Sequence, residues 1–503
     1  MKKFYRVLAL MFALLMIVST FIGCKGNDNK DAESTIAATT EVASGDATTD
    51  PYTSRLVPMD WQEAIFMVLG QDGTWHGESF EIARDEMPDD IVGKAVYERN
   101  DILREEYNFT VQQTLVKNTY EEMTKRYNSA EDLYDAVIYT PTEAAKHAQE
   151  GFLLNLNTLP HADLTHPSWN QYATQQLTIA NKTYFTVSDF LLSDKNRYFL
   201  LHYNREMARA AGKGYLEDWV ENNTWTYDNF NALLQEFSYD NDGDGKRGGL
   251  KDCFGIAAES VTTYSVLIYG GGFRLTNNND GIVTMAGTGE NVTKILKKSA
   301  PFALTRELIY YPDFFTGQVF GDKGESHAPY GTEVPIFTSG RALFLSSNLE
   351  DLDRLKANAT FERAYMPYPK YDDKQENYYT MIWDLGASVI TVPYTVADTE
   401  KSGYMLQAIT EKSTDTSYKA YFEDKCKLQD SVDQRASDML DLIFKNVVFD
   451  VGFIYDVGKL RDYLIFELPK QQRYERYSII YGRRSIAATD TITEITNAYA
   501  NAS

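Results

Sequence analysis

Asp240-Asn241-Asp242-Gly243-Asp244-Gly245-Lys246 puts three carboxylates at positions 1, 3 and 5 of a loop, with glycine at position 6 and Lys246 at position 7. Hard oxygen ligands at that spacing converge as the chain winds, which is how a calcium loop opens, and such a loop closes with a bidentate acid at position 12. Position 12 here is Lys251, with Asp252 one step late. The same residues also read as a surface turn rich in Asp and Gly. A calcium ion held on Asp240, Asp242, Asp244 and Lys246 would be structural.

Catalytic signatures are sparse. The six histidines, His76, His147, His161, His166, His202 and His327, form no H-E-x-x-H, and His161 and His166 are five apart, off a common helical face. No G-x-S-x-G or Walker A string occurs, and Ala286-Gly287-Thr288-Gly289 lacks the third glycine of a dinucleotide loop. Asp and Glu are too plentiful for counting to decide on a glycosidase carboxylate pair. Aromatics are the other conspicuous type: 35 Tyr, 26 Phe and 6 Trp make 13% of the chain. Sugars present C–H faces and hydroxyls, so a sugar site needs flat rings beside amides and carboxylates. Most of these rings belong in a core, and position must select among them.

These side chains are carried by 503 residues of formal net charge -23 and 43% apolar content, enough to bury a core and to form two or more domains. The acidic balance excludes nucleic acid as a natural partner and suits an uncharged or cationic ligand. Three cysteines, Cys24, Cys253 and Cys426, allow one intrachain disulfide at most and no cysteine-rich zinc module.

Lys2, Lys3 and Arg6 precede an apolar run from Val7 to Val18, the pattern of a signal peptide and too short for a span of about 20 residues. Phe21-Ile22-Gly23-Cys24 resembles the bacterial lipobox, with Phe21 in place of the usual Leu. That resemblance implies cleavage after residue 23 and lipid on Cys24. Residues 24–54 are poor in large apolar side chains and rich in Thr, Ala, Ser and Asp, which reads as a disordered tether with a reach of roughly 30 Å. The body is thus expected outside the cytoplasm, anchored to the cell membrane by its N-terminal lipid.

From Arg55 onward short apolar runs alternate with helical patterns, the rhythm of an α/β protein. Strands are expected at Ala64–Leu69 and Tyr134–Tyr139. Helices are expected over residues 89–107, 141–149 (ended by Gly151) and 433–445.

Six segments then carry a family resemblance. Tyr134–Pro160 is similar to a strand, helix and G-x-L-x-x-L turn. Ala180–Phe190 looks like a crossing strand, Leu200–Gly212 like a "YNK" helix and Thr224–Leu234 like a "tW-x-x-f" helix start. Phe337–Asn348 resembles a helix-to-strand motif and Met366–Tyr379 a "lPyPk" loop. In this order they resemble the sugar-type solute-binding lipoproteins of ABC importers. Arg205 stands where that family commonly has Lys, a departure expected to change little.

The resemblance implies a type II, two-lobed periplasmic-binding-protein-like fold. The first lobe is expected from 55–182 plus 331–385, the second from 183–330 plus 386–503, with ligand in the cleft between them. It also aligns Asp252 with the residue that closes the acidic loop. Open α/β clefts bind ligand at strand ends near the switch between lobes. This selects Trp75, Tyr139, Thr140, Asp189, Tyr264, Asn348, Trp383 and Asp384, with Gly270 to Gly272 letting backbone approach. The implied function is non-catalytic capture of a carbohydrate and its delivery, by a monomer, to the membrane subunits of an importer. Alternatives are a peptide receptor on the same fold, a glycan-active surface enzyme and an adhesin.

Overall fold

The structure is a computed structural model that describes residues 50–73, 78–258, 263–286, 289–310, 332–383, 386–467 and 474–501. The chain divides into two units, residues 1–49 and 50–503, and every described residue lies in the second. The signal peptide, Cys24, Trp75 and Asp384 therefore fall outside the described residues.

Along the chain run β1 (Ala64–Gln71), α1 (Ile91–Tyr107), β2 (Phe109–Val116), α2 (Thr119–Ser129), β3 (Ala136–Tyr139), α3 (Pro141–Gln149), β4 (Phe199–Asn204), α4 (Tyr227–Phe237), β5 (Phe254–Ala258) and α5 (Thr263–Gly270). They are followed by β6 (Thr276–Asn279), β7 (Ile282–Met285), α6 (Gly289–Ala303), β8 (Ile309–Tyr310), β9 (Ala342–Asn348), β10 (Arg363–Met366), β11 (Thr380–Met381) and β12 (Val389–Thr391). Then come α7 (Thr399–Ser413), a π-helical stretch over residues 414–429, α8 (Gln434–Lys445), β13 (Val447–Val448) and α9 (Tyr474–Asn501), with shorter helical turns between.

Two sheets organise these elements. The first has the order β12-β3-β1-β2, with β1 parallel to both β2 and β3 and β12 antiparallel to β3. The second has the order β10-β4-β9-β5-β8, with β5 parallel to β8 and β9 but β4 antiparallel to β9 and β10. β3, β4, β5 and β9 are buried along their whole length, and β1 from Val68 to Gln71, while Ile65 near its start is exposed.

This pairing corrects the expected lobe boundaries. Residues 331–385 are expected in the first lobe, yet β9 inserts between β4 and β5 and β10 pairs with β4, so residues 342–348 and 363–366 build the second sheet. Conversely, Val389–Thr391 adds to β3 in the first sheet. Leu200–Asn204, read as part of a helix, is strand β4, and the helix starts only at Arg205, where the Asn204 side chain accepts from Met207 N–H. The expected crossing strand at Ala180–Phe190 opens on a turn with Ala180 and Asn181 at positive φ and makes only single bridges, Lys182 to Ile179, Thr186 to Ile390 and Ser188 to Trp169.

Among the described residues, segments that pass between the sheets include 183–198 into β4, 367–383 and 386–388 between β10 and β12, and 414–429 from α7, packed on α1, to α8, packed on β10. Cys253 and Cys426 are both buried and free.

Candidate functional site

In open α/β sheets, ligands bind beyond the carboxyl ends of the strands. A cavity of about 800 Å³ lies beyond one such end in each sheet. From the segment after β1 it takes Phe80, Asp89 and Asp90, with Lys94 and two apolar residues at the start of α1, and from the segment after β9 it takes Leu349, Glu350 and Asp353; Asn196, Tyr421, Lys425 and Gln429 of the crossings also line it. Phe80 and Tyr421 are tilted against each other with ring centroids 6.4 Å apart. Tyr421 Oη donates to Asn196 Oδ1 at 2.5 Å, and Lys425 pairs with Asp353 at 2.7 Å. The cavity thus offers ring faces for C–H groups, and carboxylates and amides for hydroxyls, the mixture a polar, uncharged ring requires.

One clamp fixes its edge. Arg197, buried at the end of the first crossing, forks onto Glu350 with Nη1 and Nη2 at 2.7 and 2.9 Å from the two carboxylate oxygens. Its guanidinium also lies 5.3 Å from the ring centroid of Trp383 in the second crossing. Bidentate geometry and a cation–π contact together hold two crossings and the loop after β9 in one arrangement.

The sequence-selected residues divide. Trp383 and Asn348 flank this cavity: Trp383 through Arg197, Asn348 by capping the turn that bears Glu350, whose N–H its side chain accepts at 3.1 Å. Asp189 lines a different cavity. Tyr139 is core, its hydroxyl held between His147 Nδ1 at 3.0 Å and Tyr127 Oη at 3.2 Å. Thr140 is the N-cap of α3 in a capping box with Glu143, so its hydroxyl serves the helix. Tyr264 is packed inside the second lobe, near Ser299. Gly271 is closed to ligand as well: a Cβ there would meet Tyr227 Oη at 2.1 Å, so its smallness serves helix packing. Sequence reasoning missed Arg197, Glu350, Tyr421 and Lys425. Glu350 stands two residues past the selected Asn348 and was within reach of the strand-end rule; Tyr421 and Lys425 sit on a π-helical turn that leaves no pattern of its own.

In the acidic loop, Asp240, Asp242 and Asp244 bring one carboxylate oxygen each to within 4.8 Å of one another. Asp240 accepts from Gly245 and Gly243 N–H at 2.7 Å each, and these bonds lower its pKa. Gly243 and Gly245 have φ of +78° and +84°, a winding that glycine permits. Asp252, expected to close the site, does not join the cluster: its two oxygens accept from Asn241 N–H at 3.0 Å and Gly249 N–H at 2.8 Å, bracing the loop from below. Lys246 contributes its N–H to Asp244 at 2.8 Å. The donor set of three converging carboxylates fits a hard divalent cation.

No family model and no curated protein matches this sequence. Solved structures do match its shape. A sugar transporter from Rhizobium etli, in an open conformation, is similar with a TM-score of 0.53 at 11% identity, covering 87% of this chain and 99% of that one. UspC from Mycobacterium tuberculosis is similar at 0.52 and 14% identity, over 85% and 99% of the two chains. The maltose/maltodextrin-binding domain MalE from Bdellovibrio bacteriovorus, bound to maltotriose, is similar at 0.50 and 12% identity, over 86% and 100%. The fold is therefore that of the two-lobed, periplasmic-binding-protein-like proteins of type II.

Proposed function

We propose that this protein is a lipid-anchored, extracytoplasmic solute-binding protein that captures a carbohydrate between its lobes and delivers it to an ABC importer. The observation that carries the reading is the 800 Å³ cavity built from both sheets at their strand ends, with rings, amides and carboxylates in its wall. The fold adds support, since MalE, of the same architecture, is solved with maltotriose and the Rhizobium etli relative is described as a sugar transporter. The lipobox-like Phe21-Ile22-Gly23-Cys24 and the polar tether support the anchor. Among the described residues no helix is long and apolar enough to cross a membrane. The protein is read as a monomer without catalytic function, with a structural calcium ion on Asp240, Asp242 and Asp244.

Mechanistically, a ligand that touches both lobes favours the closed form by its differential affinity for it. The contacts of Arg197 with Glu350 and Trp383 hold two crossings against the turn after β9 at the edge of the cavity.

A thermal-shift screen of the full chain against mono- and oligosaccharides and peptides, with calcium and with chelator, tests this. A ligand at 100 times its Kd raises stability by about 2.7 kcal/mol, so a sugar hit without turnover is the expected result. A silent sugar panel with a peptide hit overturns the ligand class, release of reducing sugar overturns the non-catalytic reading, and a midpoint indifferent to chelator overturns the calcium assignment.

With the sugar in hand, Arg197→Ala is expected to weaken its binding about tenfold, or about 1.4 kcal/mol. Folding should change little, because Glu350 is 51% exposed and water takes over its charge. Arg197→Lys should recover only part of the loss, since an ammonium cannot fork. Calorimetric Kd values beside urea midpoints separate the two effects; an unchanged Kd in Arg197→Ala would remove the clamp from the binding account.

A further inference from the structure

A second cavity, of about 460 Å³, lies on the other side of the same two crossings. Asn196 faces the first cavity while Lys195 and Tyr198 face the second; Tyr421 and Lys425 face the first while Tyr418 and Phe422 face the second. The segments that wall one cavity therefore wall the other, and the two are separate spaces.

The second cavity has one continuous aromatic wall. Tyr198 meets Phe444 edge-on with centroids 5.1 Å apart, Phe444 meets Phe422 at 4.3 Å, and Phe422 stacks on Tyr418 at 5.8 Å. The fully buried ring of Trp169 also lines it, its Nε1 donating to Gln407 at 2.9 Å. Into this wall projects the carboxylate of Asp189, where Oδ2 accepts from Thr414 Oγ1 at 2.8 Å. No cation lies within 4.0 Å of it among the described ion pairs. Lys195, the nearby ammonium, has its three donors spent on Leu191 O at 2.7 Å, Asp194 Oδ1 at 3.0 Å and Ser188 O at 3.1 Å. Asp441 at the rim is likewise taken, by Lys427 at 2.9 Å. A half-buried carboxylate that faces a cavity without a bonded counter-charge is partly desolvated, and a cation bound there would offset that cost. Burial pushes Asp189 up to about 6, with the Lys195 charge working against the rise, so it is ionised at pH 7.5.

We infer that this cavity is a second binding site, distinct from the proposed sugar cleft, for a small primary amine borne on an apolar ring. The ligand ammonium would supply the counter-charge that Asp189 lacks, while π faces attract the cation and take its ring. Lys195 already lies 5.4 Å from the centroid of Tyr418, so the wall accommodates one ammonium in this way. The exposed Lys445 at the rim would turn away ligands that carry a second positive charge.

The test is calorimetric titration of the full chain at pH 7.5 with phenethylamine, beside its neutral isostere 2-phenylethanol. Saturable binding of the amine and at least tenfold weaker binding of the alcohol are expected. Asp189→Asn should weaken the amine at least tenfold, and Phe444→Leu, which keeps an apolar side chain, severalfold. Each variant's thermal midpoint establishes that it has folded, and Phe444→Leu serves as the test should Asp189→Asn fail to. The proposal is overturned if the amine does not saturate, if the alcohol binds as well as the amine, or if a folded Asp189→Asn keeps wild-type affinity.

Discussion

Arg205→Met is expected to destabilise the protein by about 3–5 kcal/mol, the usual cost of removing one partner from a buried ion cluster. Arg205 is 1% exposed and donates to three carboxylates: Glu217, itself 0% exposed, Glu362 at 2.7 Å and Asp433 at 2.9 Å. Tyr203 Oη also donates to Glu217, so that carboxylate is fully enclosed. Burial alone would lower the Arg205 pKa, but the hydrogen bonds to Asp433, Glu217 and Glu362 raise it, and the guanidinium stays charged throughout the accessible range. Without it, Glu217 is left ionised in the interior or must take up a proton. The cluster ties β4 and its following helix to the start of α8, so the loss should appear as a lower urea midpoint with an unchanged slope. Arg205→Lys should fall between, because one ammonium cannot fork to Asp433 while reaching Glu217 and Glu362. A destabilisation of Arg205→Met below about 1 kcal/mol would mean that Glu217 protonates at little cost, and would sink the account.

The same residue marks a limit of the sequence. An Arg in place of a commoner Lys reads as a neutral exchange until the fold brings Glu217, Glu362 and Asp433 around it, from 12, 157 and 228 positions away. What is local was legible. The apolar run at Ala64–Leu69, the helix over 141–149 and the one over 433–445 all appear within two residues of their expected bounds. β2 escaped notice because Gln112-Gln113-Thr114 breaks its apolar run; it is an edge strand, and only Phe109 and Val111 of its length are buried.

The selected residues that fall away from the cavity do so for a common reason. A strand-end position such as Tyr139 or Thr140 has two physical uses, facing a ligand or closing the local structure, and sequence does not separate them. His147, eight residues on, claims the Tyr139 hydroxyl, and Glu143 claims Thr140. The residues that line the cavity instead come from the turns just past the strands and from the crossings, where no periodicity guides a reader. The lobe boundaries erred for a related reason: β9 and β10 follow a long excursion, and nothing in their composition says which sheet they rejoin.

Stability should fall as pH rises from about 4.5 to about 7, and Glu81 accounts for as much as about 3 kcal/mol of that fall. Its carboxyl is wholly buried where the segment after β1 meets two crossings. Ser193 Oγ, from the first crossing, lies 2.5 Å from Oε1 and 2.7 Å from Ser388 Oγ of the second, while Oε2 is buried without a hydrogen-bond partner among the described residues. Burial raises the pKa to about 7; the Ser193 hydrogen bond opposes this and the charge of Asp194 adds to it. Arg99 faces the same segment but directs Nη2 to the backbone oxygens of Glu81 and Ile82, at 2.8 and 2.7 Å, and Nη1 to Ser413 and Ser417. Because the folded pKa lies above the unfolded value, the contribution is fully present below about 4.5 and is lost as pH passes through about 7. Glu81→Gln keeps a neutral side chain at every pH, so it should flatten this part of the profile and gain on the wild type by about 2–3 kcal/mol between pH 5 and pH 8. Comparing the two proteins by urea unfolding at both pH values separates Glu81 from Asp189, which titrates in the same range in both. Parallel profiles would show that Glu81 ionises without strain and that its free oxygen finds water. A flattened profile would make the junction of two crossings a point where the proton concentration sets how firmly the lobes are joined.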